Sequence, residues 1–255
     1  MAAVSKLAPR AGSSMGSLIT AIRSRLLLRR MRGLSGLSIE TAFDRIYERR
    51  IWSTKSDELS GGGSYGRAAD IYVDIVATFI RDHDIQSILD IGCGDFNVGA
   101  RLAPQVSSYY AFDVSAKIID INKHRFGAMS NVEFRQANAC VDPLVKTDLV
   151  TVRQVLQHLT NAQIEMILMN IERTQPRFVL ITEHLAEQTS TFCANVDLPG
   201  HSSYTRVAFG SGVDVGQPPF SRVTTLVASI PLRVGEVAGG AQGETLGIFL
   251  LHPQI

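Results

Sequence analysis

The sequence predicts an α/β fold: a doubly wound, mostly parallel seven-stranded sheet with an antiparallel last strand. Two observations predict it. Short apolar runs of strand length alternate with amphipathic stretches of helical length, which is typical of a parallel sheet with helices on both faces. In addition, the first apolar run ends in a glycine turn that leads into a helical stretch, as at the ligand-binding corners of such sheets.

The individual elements follow from the spacing of apolar residues. Five parallel strands are predicted at residues 87–91, 108–113, 131–136, 149–152 and 177–182. Helices are predicted at residues 39–52, 68–82, 98–103, 115–126, 161–173 and 218–230. The last two strands, residues 232–237 and 245–251, are predicted to form an antiparallel pair joined by Gly239 and Gly240.

The most informative stretch is the turn after the first predicted strand. Gly92 and Gly94 have no Cβ atom, so the backbone can turn sharply there and approach a ligand closely. The next strand ends on Asp113, nineteen residues after Gly94. An acidic side chain at that distance can accept hydrogen bonds from both hydroxyls of a ribose. The third glycine that would help to cradle a pyrophosphate falls at Asn97, so the pattern favours a nucleoside without a diphosphate.

Three segments resemble the motifs of class I S-adenosylmethionine-dependent methyltransferases. Residues 89–95 (Leu-Asp-Ile-Gly-Cys-Gly-Asp) are similar to the first motif of that family, and Asp113 matches the acidic residue that ends its second strand. Residues 148–159 resemble its fourth strand and the turn that follows. The resemblance extends over about residues 46–252 and implies a Rossmann-like fold.

The same resemblance implies that S-adenosyl-L-methionine is the cofactor. The residues that would bind it lie at the strand ends: Asp90, Gly92, Cys93, Gly94, Asp95, Asp113, Val114, Asn138, Ala139 and Arg153. One of them departs from the family pattern, because Asn138 stands where an acidic residue commonly faces the adenine amino group. Its amide oxygen can still accept that hydrogen bond, without a charge.

A glycine-rich segment, residues 59–66, precedes the helix predicted at residues 68–82. Such a run is usually a flexible linker. In methyltransferases with a similar tryptophan followed by Ser-Gly-x-Gly-Ser, this segment folds over the cofactor. By that resemblance we expect Tyr65, Gly66 and Arg67 to form a lid, with Arg67 near the methionine carboxylate.

Candidates for proton transfer follow strands four and five. Since a sulfonium methyl group is already activated, in-line positioning of the acceptor can supply much of the rate, and a base is needed only for a hydroxyl or a similarly protonated acceptor. The candidate catalytic residues are His158, Glu183 and His184. Each has a structural alternative: His158 can orient its turn, and the other two can hold the following segment. That segment, residues 186–220, is predicted to select the acceptor, with disordered padding as the alternative.

The predicted function is therefore in-line methyl transfer to a small-molecule or glycan acceptor, with a hydroxyl favoured as the methylated group. A lipid-linked intermediate also fits. Two other classes stay open. A regulatory module would bind S-adenosylmethionine without turnover, and an NAD(P)-dependent oxidoreductase would bind a nicotinamide dinucleotide instead.

Composition agrees with one globular domain at residues 39–255, opening with a helical and glycine-rich lid at residues 39–84. The chain of 255 residues is 45% hydrophobic and 19% charged, with no apolar run near the ~20 residues that cross a bilayer. Three separated cysteines fit neither a disulfide framework nor a zinc site, which favours a reducing, cytoplasmic location and predicts no metal. Beyond residue 38 there are 18 basic and 24 acidic residues, so no nucleic-acid partner is expected.

Residues 1–38 form a predicted basic tail with seven lysines and arginines and no acidic residue. Three interpretations stay open. The tail can be an organellar transit peptide, or it can make weak contact with an anionic membrane surface. The third is a disordered tail, or a chain that begins later, at Met15 or Met31. Oligomeric state is not predicted.

Overall fold

The computed structural model describes residues 34, 36–53, 58–185, 193–198, 205–206, 211–233 and 245–252. Within them, one seven-stranded sheet has the strand order β3-β2-β1-β4-β5-β7-β6. The strands are β1 (Ser87–Ile91), β2 (Ser108–Asp113), β3 (Val132–Gln136), β4 (Leu149–Arg153), β5 (Phe178–Leu185), β6 (Thr224–Pro231) and β7 (Thr245–Leu251). Strands β1 to β5 are parallel, β7 is antiparallel to β5, and β6 is antiparallel to β7. The predicted fold class is confirmed.

The α-helices in the described residues are α1 (Ile39–Glu48), α2 (Gly66–Asp82), α3 (Gly99–Leu102), α4 (Ala116–Phe126) and α5 (Asn161–Thr174). Three of these helices have a serine or threonine N-cap. Ser38, Ser115 and Thr160 each accept a hydrogen bond from a backbone N–H in the first turn of α1, α4 and α5 respectively. These caps explain why the helices begin where they do.

The central strands are buried on both faces, as β1 shows, since its successive side chains point to opposite faces and nearly all are buried. On one face of β1, Ile88 belongs to the core that includes Val76 of α2. On the other face, Leu89 belongs to the core that includes Ile167 of α5. The carboxyl ends of the parallel strands therefore open at one edge, between two helical layers, which is where such folds bind ligands.

Beyond β5 the prediction is partly wrong. Residues 218–230 do not form a helix, since most of this stretch belongs to β6, an edge strand of the sheet. Its valine and threonine side chains favour an extended backbone, and pairing with β7 provides the hydrogen bonds that a helix would have formed internally. Leu232 and Arg233 follow β6 instead of beginning a strand, and residues 234–244 lie outside the described residues.

Two further predictions lie wholly or partly outside the described part of the chain. Residues 1–33 of the basic tail are not described, nor are residues 186–192, 199–204 and 207–210 of the insertion. Across the ranges that are described, no helix combines the length and apolarity needed to cross a bilayer.

Candidate functional site

The turn between β1 and α3 places backbone N–H groups at the carboxyl edge of the sheet. Gly92 and Gly94 have φ angles of 74° and 57°, in the left-handed region that glycine adopts without penalty. The N–H groups of Gly92 and Cys93 donate to the Phe112 carbonyl at 2.8 and 3.0 Å, which holds the turn against the end of β2. A Cβ atom on Gly92 would lie 2.3 Å from Val155. Burial raises the pKa of the Cys93 thiol well above its ordinary value, so Cys93 remains a protonated packing group.

The carboxylate of Asp113 anchors this turn from the end of β2. Its Oδ2 accepts from the Gly94 N–H and its Oδ1 from the Ser115 N–H, both at 3.0 Å. Asp113 lines a cavity at the strand ends but is only 5% exposed. Burial raises its pKa to about 6, although the two backbone donors favour the ionised form. Each oxygen keeps a lone pair, so the carboxylate can accept from two ligand hydroxyls.

Asp90 also lines the cavity, but both of its oxygens are already bonded. Thr151 Oγ1 donates to Oδ1 at 2.9 Å, and the Tyr109 hydroxyl donates to Oδ2 at 3.0 Å. Burial raises the pKa of Asp90, and these two hydroxyls oppose that rise. The contacts join β1 to β4 and to β2, and so fix the strand ends that surround the cavity.

Asp95 fastens the glycine-rich segment over the cavity. Its Oδ2 accepts from the backbone N–H groups of Leu59 and Ser60 at 3.2 Å and from the Tyr65 hydroxyl. In return, the Asp95 N–H donates to Ser60 Oγ at 2.9 Å. These bonds give the segment a defined position beside the glycine turn.

Two side chains hold the rest of that segment. Asn97 Nδ2 donates to the Ser64 carbonyl at 2.6 Å, and the Arg153 guanidinium donates to the Gly63 carbonyl. Arg153 also lies over the Tyr72 ring, 4.8 Å from its centroid. Its Nε is buried and has no hydrogen-bond partner among the described residues. A cation with an open donor therefore lines the cavity near the glycine turn.

The far end of the cavity, past β2 and β3, is lined by Val114, Asn138 and Ala139. The Asn138 amide has a fixed orientation there. Its Nδ2 donates to Glu40 Oε1 at 2.9 Å, and its Oδ1 accepts from the Cys140 N–H at 3.1 Å. The α1 helix therefore contributes to this end of the cavity.

His158 lines another wall of the cavity, within an aromatic group. Its ring stacks on Trp52 with centroids 4.7 Å apart, and Phe43 meets it edge-on at 6.1 Å. The buried Trp52 Nε1 has no hydrogen-bond partner within the residues that the structure describes. Thr205, from the insertion, donates to Gln157 Oε1 at 3.1 Å on the same side.

The structure places Arg67 outside the cavity. Its guanidinium donates to the Pro231 carbonyl at the end of β6, and Arg67 does not line the cavity. The reason is that α2 packs near β6, so its first turn lies beside that strand. Tyr65 and Gly66 do not line the cavity either, whereas residues 60–64 do.

Glu183 and His184, which were expected to point into the crevice, do not line the cavity. Because they are consecutive on β5, they point to opposite faces of the sheet. Glu183 Oε1 accepts from the Leu156 N–H at 2.7 Å, and burial raises the Glu183 pKa to about 8. The His184 ring bonds the Gln154 side chain at 3.0 Å, and burial lowers the His184 pKa to about 4. Both are therefore uncharged at neutral pH and support the turn that carries His158.

Sequence reasoning missed several residues at the site, among them Glu40, Phe43 and Gln157. Phe43 and Gln157 line the cavity, and Glu40 bonds a residue that lines it. The sequence pointed to these residues only through their neighbours: α1 comes before the glycine-rich segment, and Gln157 directly precedes His158. The apolar spacing of α1 predicts core packing and gives no indication of a ligand site.

Comparisons with known proteins agree with this architecture. A family model described as "Methyltransferase domain" matches residues 88–175, the part of the chain from β1 to the end of α5. No curated protein sequence matches the chain.

Solved structures share the fold. The N-methyltransferase NodS from Bradyrhizobium japonicum WM9, in complex with S-adenosyl-L-homocysteine, has a TM-score of 0.59 at 14% identity, covering 84% of this chain and 100% of that one. Human N-acetylserotonin methyltransferase, in complex with SAM, has a TM-score of 0.56 at 15% identity, covering 92% and 68%. A SAM-dependent methyltransferase from Leishmania major has a TM-score of 0.51 at 15% identity, covering 83% of each chain.

At these identities the likeness concerns the fold and not the substrates. The matched region contains the glycine turn, Asp113, Asn138 and Arg153, which line the cavity. Together these findings show that residues 88–175 match a methyltransferase domain and that the chain has the Rossmann-like fold of class I methyltransferases.

Proposed function

We propose that this protein transfers a methyl group from S-adenosyl-L-methionine to a hydroxyl of a small-molecule or glycan acceptor. The observation that carries the proposal is the anchored glycine turn, in which the Gly94 N–H donates to Asp113 beside a covered cavity. Two similar structures are complexes with S-adenosyl-L-homocysteine and with SAM, which supports the same ligand here.

The residues present fit the three parts of this cofactor. Asp113 keeps lone pairs for the two ribose hydroxyls, and Asn138 Oδ1 keeps one for the adenine amino group. At the other end, the open Nε donor of Arg153 suits the methionine carboxylate, since a guanidinium binds carboxylates with charge-assisted hydrogen bonds.

The same turn disfavours a nicotinamide dinucleotide. A pyrophosphate is commonly held at the N-terminus of a long helix after a third glycine. Here α3 has only four residues, and Asn97, at the position of that glycine, donates to the Ser64 carbonyl. The oxidoreductase alternative therefore has no support from the site.

The aromatic side of the cavity, formed by Phe43, Trp52 and His158, is where we place the acceptor. The bound cofactor supplies an activated methyl carbon, so the protein's task is to hold the acceptor oxygen in line with it. We assign His158 to accept the hydroxyl proton. The Trp52 N–H, which has no partner among the residues that the structure describes, suits a second oxygen of the acceptor molecule, because a buried indole N–H normally finds a hydrogen-bond partner. Thr205 brings the insertion to the same cavity, in keeping with a role in acceptor selection.

Two measurements, made one after the other, test the proposal. Calorimetry with S-adenosylhomocysteine first tests whether the cofactor binds, with NADH as the competing ligand. Release of S-adenosylhomocysteine is then followed with hydroxyl compounds, glycans and matched amines. Binding followed by release with a hydroxyl acceptor supports the proposal. Binding without release from any acceptor supports a regulatory module, and release with amines alone contradicts hydroxyl methylation.

A further inference from the structure

We infer that Glu40 is a positioning residue that fixes the orientation of the Asn138 amide, and thereby makes the cavity selective for a 6-amino purine. The inference rests on the proposed function, since it concerns the adenine end of the proposed cofactor. Glu40 belongs to α1, which lies outside the matched methyltransferase region, residues 88–175. The selectivity would therefore come from a helix that precedes the region carrying the family motifs.

Two neighbours, one at each end of the Asn138 side-chain amide, together set its orientation. The ionised Glu40 carboxylate can only accept a hydrogen bond, and it lies 2.9 Å from Asn138 Nδ2. The Cys140 backbone N–H can only donate, and it lies 3.1 Å from Asn138 Oδ1. A half-turn of the amide would set acceptor against acceptor at Glu40 and donor against donor at Cys140.

The position of Glu40 does not depend on Asn138 alone. Further along α1, Asp44 Oδ1 accepts from Ser115 Oγ at 2.5 Å and from the Lys117 N–H at 3.1 Å, so α1 is fastened to the start of α4. Burial alone would raise the pKa of Glu40, but hydrogen bonds from its own backbone N–H, Asn138 and Ser38 lower it overall. Glu40 is therefore a fixed, ionised acceptor at neutral pH.

In this orientation one Nδ2 proton is committed to Glu40, while Oδ1 accepts only from the Cys140 N–H. The second lone pair of Oδ1 can accept from a 6-amino group. A 6-oxo purine would instead oppose this oxygen with another acceptor, and Glu40 prevents the half-turn that would relieve the repulsion. A neutral asparagine held in this way reproduces the acceptor pattern of a carboxylate.

The test compares the dissociation constants of 5′-methylthioadenosine and 5′-methylthioinosine by calorimetry. For the wild type we expect a preference of about tenfold for the 6-amino compound, the size of one well-made hydrogen bond. Glu40→Gln keeps the shape of the side chain but can donate as well as accept, so the preference should fall to about twofold. The matched control is Glu48→Gln on the exposed end of α1, which should keep the wild-type preference.

A double variant shows whether Glu40→Gln acts through the orientation of residue 138 or merely damages the site. In the double variant Glu40→Gln/Asn138→Asp, the glutamine donates to an aspartate that can only accept, so the 6-amino preference should return. An unchanged preference in Glu40→Gln would overturn the inference, and so would a double variant that stays unselective. If the wild type binds S-adenosylhomocysteine, either result leaves the proposed function standing. A wild type that binds neither nucleoside nor S-adenosylhomocysteine removes the proposed function and this inference together.

Discussion

Replacing Glu183 with glutamine tests the electrostatics beneath the site. Glu183 is fully buried on β5, where Oε1 accepts from the Leu156 N–H and Oε2 has no hydrogen-bond partner in the described part of the chain. Burial raises its pKa from 4.5 to about 8. At pH 7 the folded protein therefore keeps this proton, whereas the unfolded chain has released it. The free energy of unfolding is lower at pH 7 than at pH 4.5 by about 3 kcal/mol for this reason.

The sign of the pH dependence follows from the raised pKa. The contribution of Glu183 to stability is fully present below pH 4.5, declines as the pH rises, and is fully lost above pH 8. Glutamine carries no charge at any pH, and its carbonyl oxygen can still accept from the Leu156 N–H. We expect Glu183→Gln to match the wild type near pH 4.5 and to exceed it by about 3 kcal/mol at pH 7.

Urea unfolding followed by circular dichroism between pH 4.5 and 8 measures this difference. Asp120→Asn, on the exposed surface of α4, is the control and should shift stability little at any pH in this range. Subtracting wild type from variant removes the other titrating groups, including Asp113. A difference that stays constant with pH would show that Glu183 is ionised in the folded state, and the reasoning would be refuted.

Three further predictions concern ligands and turnover. Arg67→Ala should leave the affinity for S-adenosylhomocysteine within about twofold, whereas Arg153→Ala should weaken it about tenfold or more, because of these two residues only Arg153 lines the cavity. Calorimetry on both variants measures the two affinities, and equal losses would contradict this placement. His158→Ala should lower turnover more than cofactor affinity, and a selective loss of affinity would reassign His158 to the cofactor. Affinity for S-adenosylhomocysteine should rise between pH 5 and 7 as Asp113, with a pKa of about 6, ionises to accept from the ribose, and Asp113→Asn should remove that dependence.

The parts of this protein that the sequence predicts well are local. The glycine turn follows directly from two residues without a Cβ atom after an apolar run, and Asp113 follows from the length of one helix and one strand. Parallel strands buried on both faces read as continuous apolar runs, so β1, β2, β4 and β5 could be predicted from those runs.

The parts that were missed depend on contacts distant in sequence. Residues 224–231 form a strand because β7 pairs with them, and the apolar pattern of a short segment does not separate that outcome from a helix. Glu40 and Asn138 are 98 residues apart, so only the docking of α1 brings them together. Glu183 and His184 adjoin in sequence, yet alternation along β5 sends them to opposite faces, and neither lines the cavity.

The most direct measurement is the binding of S-adenosylhomocysteine to the wild type and to Asp113→Asn at pH 7.5. Asp113 holds the Gly94 N–H and faces the cavity, so the account expects saturable, one-to-one binding to the wild type. The variant should remain folded and bind about tenfold or more weakly, because it lacks the ionised acceptor for the ribose hydroxyls. A wild type that shows no binding, or a folded variant with unchanged affinity, would contradict the central claim that this turn and this carboxylate form the cofactor site.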